Sequence, residues 1–234
     1  MRRSIALVFV MLAALAKPVL GEERPTVVVE LFTSQGCSSC PPADAFLHEL
    51  AAREDVLALG LHVDYWDYIG WKDVFGHAAF SERQRAYAKA GGRRSVYTPQ
   101  MIINGQQHVV GNHPQEVAAL IRRHQAQPPE ARLRLTREGA QLHVAAEADS
   151  RAPARAVTVL LIRFLPEAVT DIKRGENAGK QISYANIVTE IVRLQTWDMR
   201  APLRLTAQLG GTARAAVVLQ GQNAGPILAA ALAD

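Results

Sequence analysis

The stretch Val27–Pro42, "VVVELFTSQGCSSCPP", carries both cysteines of the 234-residue chain. Its first six residues form an apolar run rich in β-branched side chains, which is typical of a buried strand. After the cysteines, apolar residues recur at the spacing of one helix face, and proline is tolerated in the first turn of a helix. These apolar residues are Ala43, Phe46, Leu47, Leu50 and Ala51. The sequence therefore predicts a strand, a Cys-x-x-Cys loop and a helix, in that order.

The rest of the first half alternates between strand and helix patterns. A second buried strand is predicted over Val56–Val63, and a helix over Phe80–Ala90 that ends at two glycines. Asn104-Gly105 between two apolar runs is a strong hairpin signal, and Val117, Leu120 and Ile121 give a last helix its apolar face. The predicted order is strand, helix, strand, helix, strand, strand, helix.

The pattern changes at Gln127–Glu130, "QPPE", which predicts a linker. Beyond it, short segments of alternating apolar and polar residues are separated by turns. This pattern predicts six or seven antiparallel strands. We therefore expect an α/β domain over residues 25–127 and a β-rich, antiparallel, sandwich-like domain over residues 130–234.

The N-terminus has the pattern of a secretory signal peptide. Arg2 and Arg3 precede an apolar run, Ile5–Ala16, which is shorter than a membrane-spanning helix. We expect residues 1–21 to be removed and the mature protein to be periplasmic or secreted, without stable membrane insertion. Without Arg2, Arg3 and Lys17 the formal charge falls from +4 to +1. No basic block with interleaved aromatic residues remains, so a nucleic-acid partner is not expected.

The two cysteines, Cys37 and Cys40, have three interpretations: a structural clip, a metal site or a reactive dithiol. A disulfide across so short a loop would constrain the unfolded chain by only about 2 kcal/mol. A structural zinc site needs four ligands, and the sequence has no second Cys-x-x-Cys or His-x-x-x-His pair. No resident metal or cofactor is therefore expected. A copper(I) carrier or metal-site assembly factor that uses the two thiolates remains the alternative to redox chemistry.

The redox interpretation assigns a different role to each cysteine. Cys37 precedes the predicted helix, whose N-terminus favours thiolate over thiol, so we expect Cys37 to be the nucleophile. Cys40, one turn later, can attack a mixed disulfide on Cys37 and release the partner. The sequence thus predicts a thiol–disulfide oxidoreductase whose partners are cysteine-containing exported proteins or a redox partner.

The Cys-Ser-Ser-Cys loop between strand and helix, the element order and the Thr98-Pro99 pair together resemble the thioredoxin fold. The resemblance implies a thioredoxin-like domain over residues 25–127, with a cis Pro99 facing the dithiol. It also implies that Tyr97, Thr98 and Pro99 contact the substrate. An acid on the strand before the dithiol, Glu30, would then exchange a proton with Cys40, although its spacing differs by about one residue from the thioredoxin pattern.

Two further segments have open interpretations. The aromatic segment that contains Trp66 and Trp71 could form a substrate-binding wall over Cys37, or a small core that packs an insertion onto the sheet. The polar stretch Asp171–Lys180, "DIKRGENAGK", could form a recognition patch or a solvated connection, and the second is favoured for a loop of this length.

A closer resemblance covers nearly the whole chain after residue 21. The strings "VVELFTSQGCSSCPPAD", "LHVDYWDYIGWKD", "YTPQMIING" and "RGENAGKQISYANIV" are similar to those of an exported bacterial thioredoxin-like family of unknown function. This resemblance implies export and a thioredoxin-like fold, and it implies chemistry only by analogy.

Overall fold

The computed structural model describes residues 26–210 and 213–233. The predicted signal peptide, residues 1–21, lies outside the described residues. Within the described ranges, no helix is both long and apolar enough to span a membrane.

Three α-helices, one 3-10 helix and eleven strands make up the described residues. The first half contains β1 (Val27–Thr33), α1 (Pro41–Ala51), β2 (Val56–His62), a 3-10 helix (Asp67–Ile69), α2 (Ala78–Ala90), β3 (Gln100–Ile103), β4 (Gln107–Val110) and α3 (Pro114–Gln125). The second half contains β5 (Ala131–Glu138), β6 (Gln141–Ala148), β7 (Val157–Asp171), β8 (Gln181–Trp197), β9 (Leu203–Gln208), β10 (Arg214–Gly221) and β11 (Ile227–Ala233). The strand–loop–helix arrangement predicted around the cysteines is confirmed.

Eight strands form one large sheet in the order β11-β10-β7-β8-β2-β1-β3-β4. β1 and β2 are parallel, whereas β3 is antiparallel to β1 and β4 is antiparallel to β3. β8 joins β2 in parallel through the pair Gly60 and Ile187. A Cβ atom at Gly60 would lie 3.1 Å from the carbonyl oxygen of Ala185, so a larger residue would push β8 away.

The chain is therefore a mixed α/β protein with a large sheet and few helices. The boundary predicted at residues 127–130 falls in the loop between α3 and β5, but the large sheet continues across it. β7, β8, β10 and β11 extend the sheet of the first half, and β5, β6 and β9 form a second sheet of three strands. The three-stranded sheet packs on one face of β7 and β10, which is the sandwich-like part. Alternation predicts which faces are buried but does not name the partner strand.

The two faces of β1 pack against different partners. Val27, Val29 and Leu31 lie with α1 and α3 in one core cluster. Val28 and Phe32 lie in another, with side chains of α2, β7 and β10. Because successive side chains of a strand point to opposite faces, Glu30 lies on the face away from α1.

The hairpin of β7 and β8 brings the second half of the chain to the cysteines. β10 pairs with β7 only as far as Phe164, whereas β7 and β8 continue to pair with each other up to Asp171 and Gln181. Buried side chains of this distal part pack with Trp71 and Phe75 from the first half. These side chains are Ile172, Ile182, Tyr184 and Ile187.

Candidate functional site

Cys37 and Cys40 form a disulfide in the loop between β1 and α1. The loop is shaped by backbone hydrogen bonds from the Cys37 amide to Ser34 and from the Cys40 amide to Cys37. The Cys40 carbonyl then accepts bonds from Ala43 and Asp44, which begin α1. The disulfide is therefore held at the carboxyl end of a central strand and at the N-terminus of a helix.

Both cysteines are covered by the fold: Cys37 is 1% exposed and Cys40 is fully buried. The serines between them, Ser38 and Ser39, are exposed. The Ser39 hydroxyl lies 3.5 Å from the Cys37 sulfur, so it is placed to donate a weak hydrogen bond to that atom. The loop thus offers polar groups to solvent while the sulfur atoms lie beneath them.

Trp66 connects the cysteine loop to the predicted substrate-binding residues. A Cβ atom at Gly36 would lie 3.1 Å from Trp66 Cβ, so a larger residue would push Trp66 away from the cysteine loop. The Trp66 indole nitrogen donates to Thr98 Oγ1 at 2.8 Å. The Thr98–Pro99 peptide bond is cis, as predicted. The structure therefore brings Trp66, Thr98 and Pro99 to the edge next to Cys37.

Tyr97 lies at the outer end of this edge. Its hydroxyl lies 3.0 Å from Nδ1 of His108 on β4, and its carbonyl accepts a bond from Gln84. Tyr68, which stacks on Trp66, is 81% exposed. The substrate-contact roles assigned to Trp66, Tyr97, Thr98 and Pro99 remain predictions.

Trp71 packs on the other side of the cysteine loop. Its indole nitrogen donates to Gln35 Oε1 at 2.8 Å. A Cβ atom at Gly175 would lie 3.3 Å from Trp71 Cβ. The ring is held between two segments of the chain, as the small-core interpretation describes, and its predicted role in substrate binding stays a prediction.

The loop between β7 and β8, residues 172–180, lies over the cysteine loop, and we call it the strap. Asn177 is 1% exposed, and its amide nitrogen donates to the carbonyl oxygens of Gln35 and Cys37, each at 2.9 Å. Lys180 donates to the Asn177 side-chain oxygen at 2.8 Å. Asn177 therefore fixes the backbone next to Cys37, whereas the sequence favoured a solvated connection here. The sequence carried no signal for this contact, because the two partners are 140 residues apart.

A buried pair of titratable residues, His62 and Asp73, contacts the backbone of the cysteine loop. Asp73 Oδ2 lies 2.8 Å from the His62 Nδ1 atom and accepts a bond from the Gln35 amide at 2.8 Å. Asp73 Oδ1 accepts a bond from the Phe75 amide. His62 and Asp73 are each 1% exposed. Asp73 thus links the aromatic segment to the cysteine loop.

Asp44, in the first turn of α1, is a further buried acid that the sequence analysis missed. Thr33 donates to Asp44 Oδ1 at 2.7 Å, whereas Oδ2 has no hydrogen-bond partner among the described residues. Burial raises the pKa of Asp44 to about 7, against the opposing effects of His62 and the Thr33 hydrogen bond, and the charge of Asp73 raises it further. The signal was available in the sequence, since Asp44 lies within the predicted apolar face of the helix.

Glu30 lies elsewhere. It is fully buried, and it accepts bonds from Arg83 Nε at 2.6 Å and from the Tyr87 hydroxyl. Arg83 also donates to Gln220 of β10 at 3.0 Å. The structure therefore places Glu30 in an ion-pair network between β1, α2 and β10, on the face away from α1. This placement argues against the predicted proton exchange with Cys40.

In the described part of the chain, no group of three or more His, Cys, Asp or Glu side chains is arranged to hold a metal ion. Copper(I) binding by Cys37 and Cys40 alone stays a prediction.

Two solved structures resemble the chain over most of its length. The first is an X-ray crystal structure of an Agrobacterium tumefaciens protein, determined as a structural-genomics target. It is 32% identical, with 90% of this chain and 95% of that chain covered and a TM-score of 0.77. The second, HBP35 of Porphyromonas gingivalis, is 13% identical, with coverages of 90% and 75% and a TM-score of 0.63, and it shows a similarity of fold alone.

No curated protein matches the sequence. Residues 28–220 match the model of a family described as "protein of unknown function (DUF1223)". This match covers well over half of the chain. The chain therefore belongs to the DUF1223 family of proteins of unknown function.

Proposed function

We propose that the protein is a thiol–disulfide oxidoreductase in which Cys37 exchanges disulfides with partner thiols and Cys40 resolves the mixed disulfide. The observation that carries this proposal is the position of the Cys37–Cys40 disulfide between the end of β1 and the first turn of α1. A clip would serve stability better by closing a long loop. A disulfide that closes a short loop at the start of a helix is better suited to reversible reduction and oxidation.

The order of the surrounding elements supports a thioredoxin-like arrangement for the first half, which is part of this proposal. β1 and β2 are parallel neighbours, and β3 follows on the other side of β1 in the antiparallel direction. Gln100, the first residue of β3, lies opposite Phe32 at the end of β1. This register brings the Thr98–Pro99 turn toward the cysteine loop.

Two features favour Cys37 as the nucleophile. The Ser39 hydroxyl, 3.5 Å from the Cys37 sulfur, would stabilise a thiolate by donating to it. The N-terminus of α1 adds a favourable potential for negative charge. Cys40, one turn later at the start of the helix, is placed to attack a mixed disulfide on Cys37, which suits the resolving role.

The exchange proceeds in two steps. A partner thiolate attacks Cys37, the bond between the two sulfurs breaks, and Cys40 leaves as a thiolate that takes up a proton. A second thiolate of the partner then attacks the partner sulfur that is bonded to Cys37, and Cys37 leaves as a thiolate. The protein is reduced and the partner is oxidised, and the reverse sequence oxidises the protein.

A partner must reach the sulfur of Cys37, a residue that is 1% exposed. The edge formed by Trp66, Thr98 and Pro99 is the surface next to Cys37 on which an extended segment of the partner would lie. We propose cysteine-containing exported proteins or a redox partner as the substrates, in the periplasm or outside the cell.

A trapping experiment tests the proposal. The Cys40→Ser variant, incubated with oxidised glutathione, is expected to accumulate a mixed disulfide on Cys37, detected by mass spectrometry. The matched variant Cys37→Ser should react far more slowly, because the remaining Cys40 sulfur lacks the Ser39 hydroxyl that would stabilise a thiolate at Cys37. Equal reactivity of the two variants, or a wild-type disulfide that does not equilibrate with a glutathione buffer, would contradict the proposal.

A further inference from the structure

One cysteine and two titratable side chains lie in one row that starts at the N-cap of α1 and continues along the helix. Cys40, Asp44 and His48 are spaced four residues apart. Cys40 precedes the helix but has helical backbone angles, φ −77° and ψ −34°, so the row begins at Cys40 itself. Residues four apart on a helix have Cβ atoms about 5–6 Å apart and lie on the same side. The sulfur of Cys40, the carboxyl group of Asp44 and the imidazole of His48 therefore follow one another along one side of the helix.

Two of these side chains carry polar atoms without a hydrogen-bond partner. Asp44 Oδ2 and His48 Nε2 are buried, and neither finds a partner among the described residues. The hydroxyl of Tyr184, on β8, is a third such atom. Buried polar atoms almost always have a hydrogen-bond partner, so unpaired atoms on α1 and on the neighbouring β8 are candidates for a functional role.

The groups that face Asp44 come from three strands and from the loop before α2. Thr33 on β1 donates to its Oδ1 atom. His62 on β2 lowers its pKa and Asp73 raises it, through their charges. Tyr184 on β8 has its own pKa raised by burial first and then by the charges of Asp44 and Asp73. None of these groups bonds to Asp44 Oδ2, which leaves that oxygen free to exchange a proton.

His48 lies where this row reaches the surface. It lines a cleft of about 460 Å³ together with Pro41 and Ala45 of α1 and residues 180–183 of the strap and β8. Pro41 directly follows Cys40 in the chain, so the lining of the cleft begins one residue after the disulfide. The row therefore runs from a buried cysteine to the wall of an open cleft.

We infer that Asp44 exchanges a proton with the Cys40 sulfur and that His48 passes this proton to and from the cleft. The inference rests on the proposed thiol–disulfide exchange. When the disulfide opens, Cys40 leaves as a thiolate and takes the proton of the Asp44 carboxyl group, directly or through one water. When the disulfide forms, the Cys40 thiol returns its proton to the Asp44 carboxylate and attacks the Cys37 sulfur of the mixed disulfide, and the partner leaves as a thiolate. Asp44 then regains or loses a proton through His48.

The pH dependence of disulfide opening tests the inference. The rate of reduction by dithiothreitol, expressed per dithiothreitol thiolate, is measured from pH 5.5 to 8.5 for the wild type and three variants. The wild-type rate is expected to fall as pH rises through about 7, where Asp44 loses its proton. Asp44→Asn should be slower by about tenfold or more at low pH and should match the wild type at high pH.

Two further variants separate the roles. Glu49→Gln changes an exposed acid on the same helix and should leave the profile unchanged. His48→Gln should slow the reaction at low pH, and added imidazole should restore the rate, because a small buffer acid can enter the cleft. If His48→Gln behaves as the wild type, the route through His48 is wrong.

A measurement on the wild-type protein tests the inference even if a variant fails to fold. The carboxyl carbon of Asp44 is titrated by NMR in the oxidised and reduced wild-type protein, and its midpoint should move when Cys40 becomes a free thiol. Equal midpoints, or an unchanged pH profile in Asp44→Asn while Cys40→Ser still traps glutathione, would overturn this inference alone. Failure to trap glutathione, with a profile that still depends on Asp44, would instead refute the proposed function and leave the proton transfer standing.

Discussion

The replacement Asp44→Asn should stabilise the oxidised protein, and the gain should grow with pH. The shape of the side chain and the bond from Thr33 are retained, but the charge that burial disfavours is removed. A rise of the pKa from 3.8 to about 7 corresponds to roughly 4 kcal/mol of unfavourable free energy when the carboxyl group is ionised.

The sign follows from proton binding. Between pH 3.8 and about 7, the folded wild type binds the Asp44 proton more tightly than the unfolded chain does, so its unfolding free energy falls as pH rises. The loss is complete above pH 7. Asparagine does not titrate, so the advantage of the variant should increase by about 3 kcal/mol from pH 5 to pH 8.

Urea unfolding at pH 5 and pH 8, with the disulfide intact, measures this difference. Subtracting the wild-type value from that of the variant at each pH cancels the titration of all other groups. Glu49→Gln, which changes an exposed acid of the same helix, should show no such increase. A difference between variant and wild type that is the same at both pH values would refute the reasoning that burial dominates at Asp44.

Three other predictions concern the surrounding contacts. Arg83→Met should cost about 3–5 kcal/mol in urea unfolding, because Glu30 would remain buried without its charged partner, and a loss below 1 kcal/mol would show that Tyr87 alone is sufficient. Asn177→Ala should cost about 1–3 kcal/mol and speed the reduction of the disulfide by dithiothreitol, since two bonds to the cysteine loop are lost, and an unchanged reduction rate would show that the strap does not restrain the loop. Tyr184→Phe should keep or increase the unfolding free energy, because the hydroxyl is buried without a partner in the described ranges, and a clear loss would reveal a bond that this structure lacks.

Local elements of the first half could be predicted from the sequence because their signals are local. The apolar run at Val27, the prolines after Cys40 and the Asn104-Gly105 turn each lie at the expected element. The cis Thr98–Pro99 bond was predicted from the resemblance to the thioredoxin fold, and the structure confirms it.

The direction of Glu30 could not be predicted from the same strand. β1 is buried on both faces, so its residues are apolar on both sides and the alternation does not indicate which face α1 covers. The apolar pattern of the strand is therefore equally consistent with Glu30 on the face that α1 covers and with Glu30 on the opposite face. The structure places two other buried acids near the cysteines, Asp44 on the helix and Asp73 beside the cysteine loop.

The pairing of distant strands could not be predicted for a different reason. The alternation of β8 indicates which of its faces is buried but not which strand lies beside it. The two strands share a single pair, Gly60 and Ile187, so β2 and β8 carry no long complementary pattern. The position of the strap follows from that pairing. The polar stretch that contains Asn177 therefore favours a solvated connection from sequence alone, although Asn177 is 1% exposed in the structure.

The pairing of β8 with β2 also sets the order in which the site is completed during synthesis. A growing chain emerges from its N-terminus, so β1, both cysteines and α1 are made long before β8. Until Ile187 arrives, β2 has an open edge at Gly60, and neither Asn177 nor Tyr184 exists to cover the loop. The nascent chain thus passes through a stage in which the two cysteine thiols are present and uncovered and can exchange with the disulfides of other molecules, and the last third of the chain ends that stage.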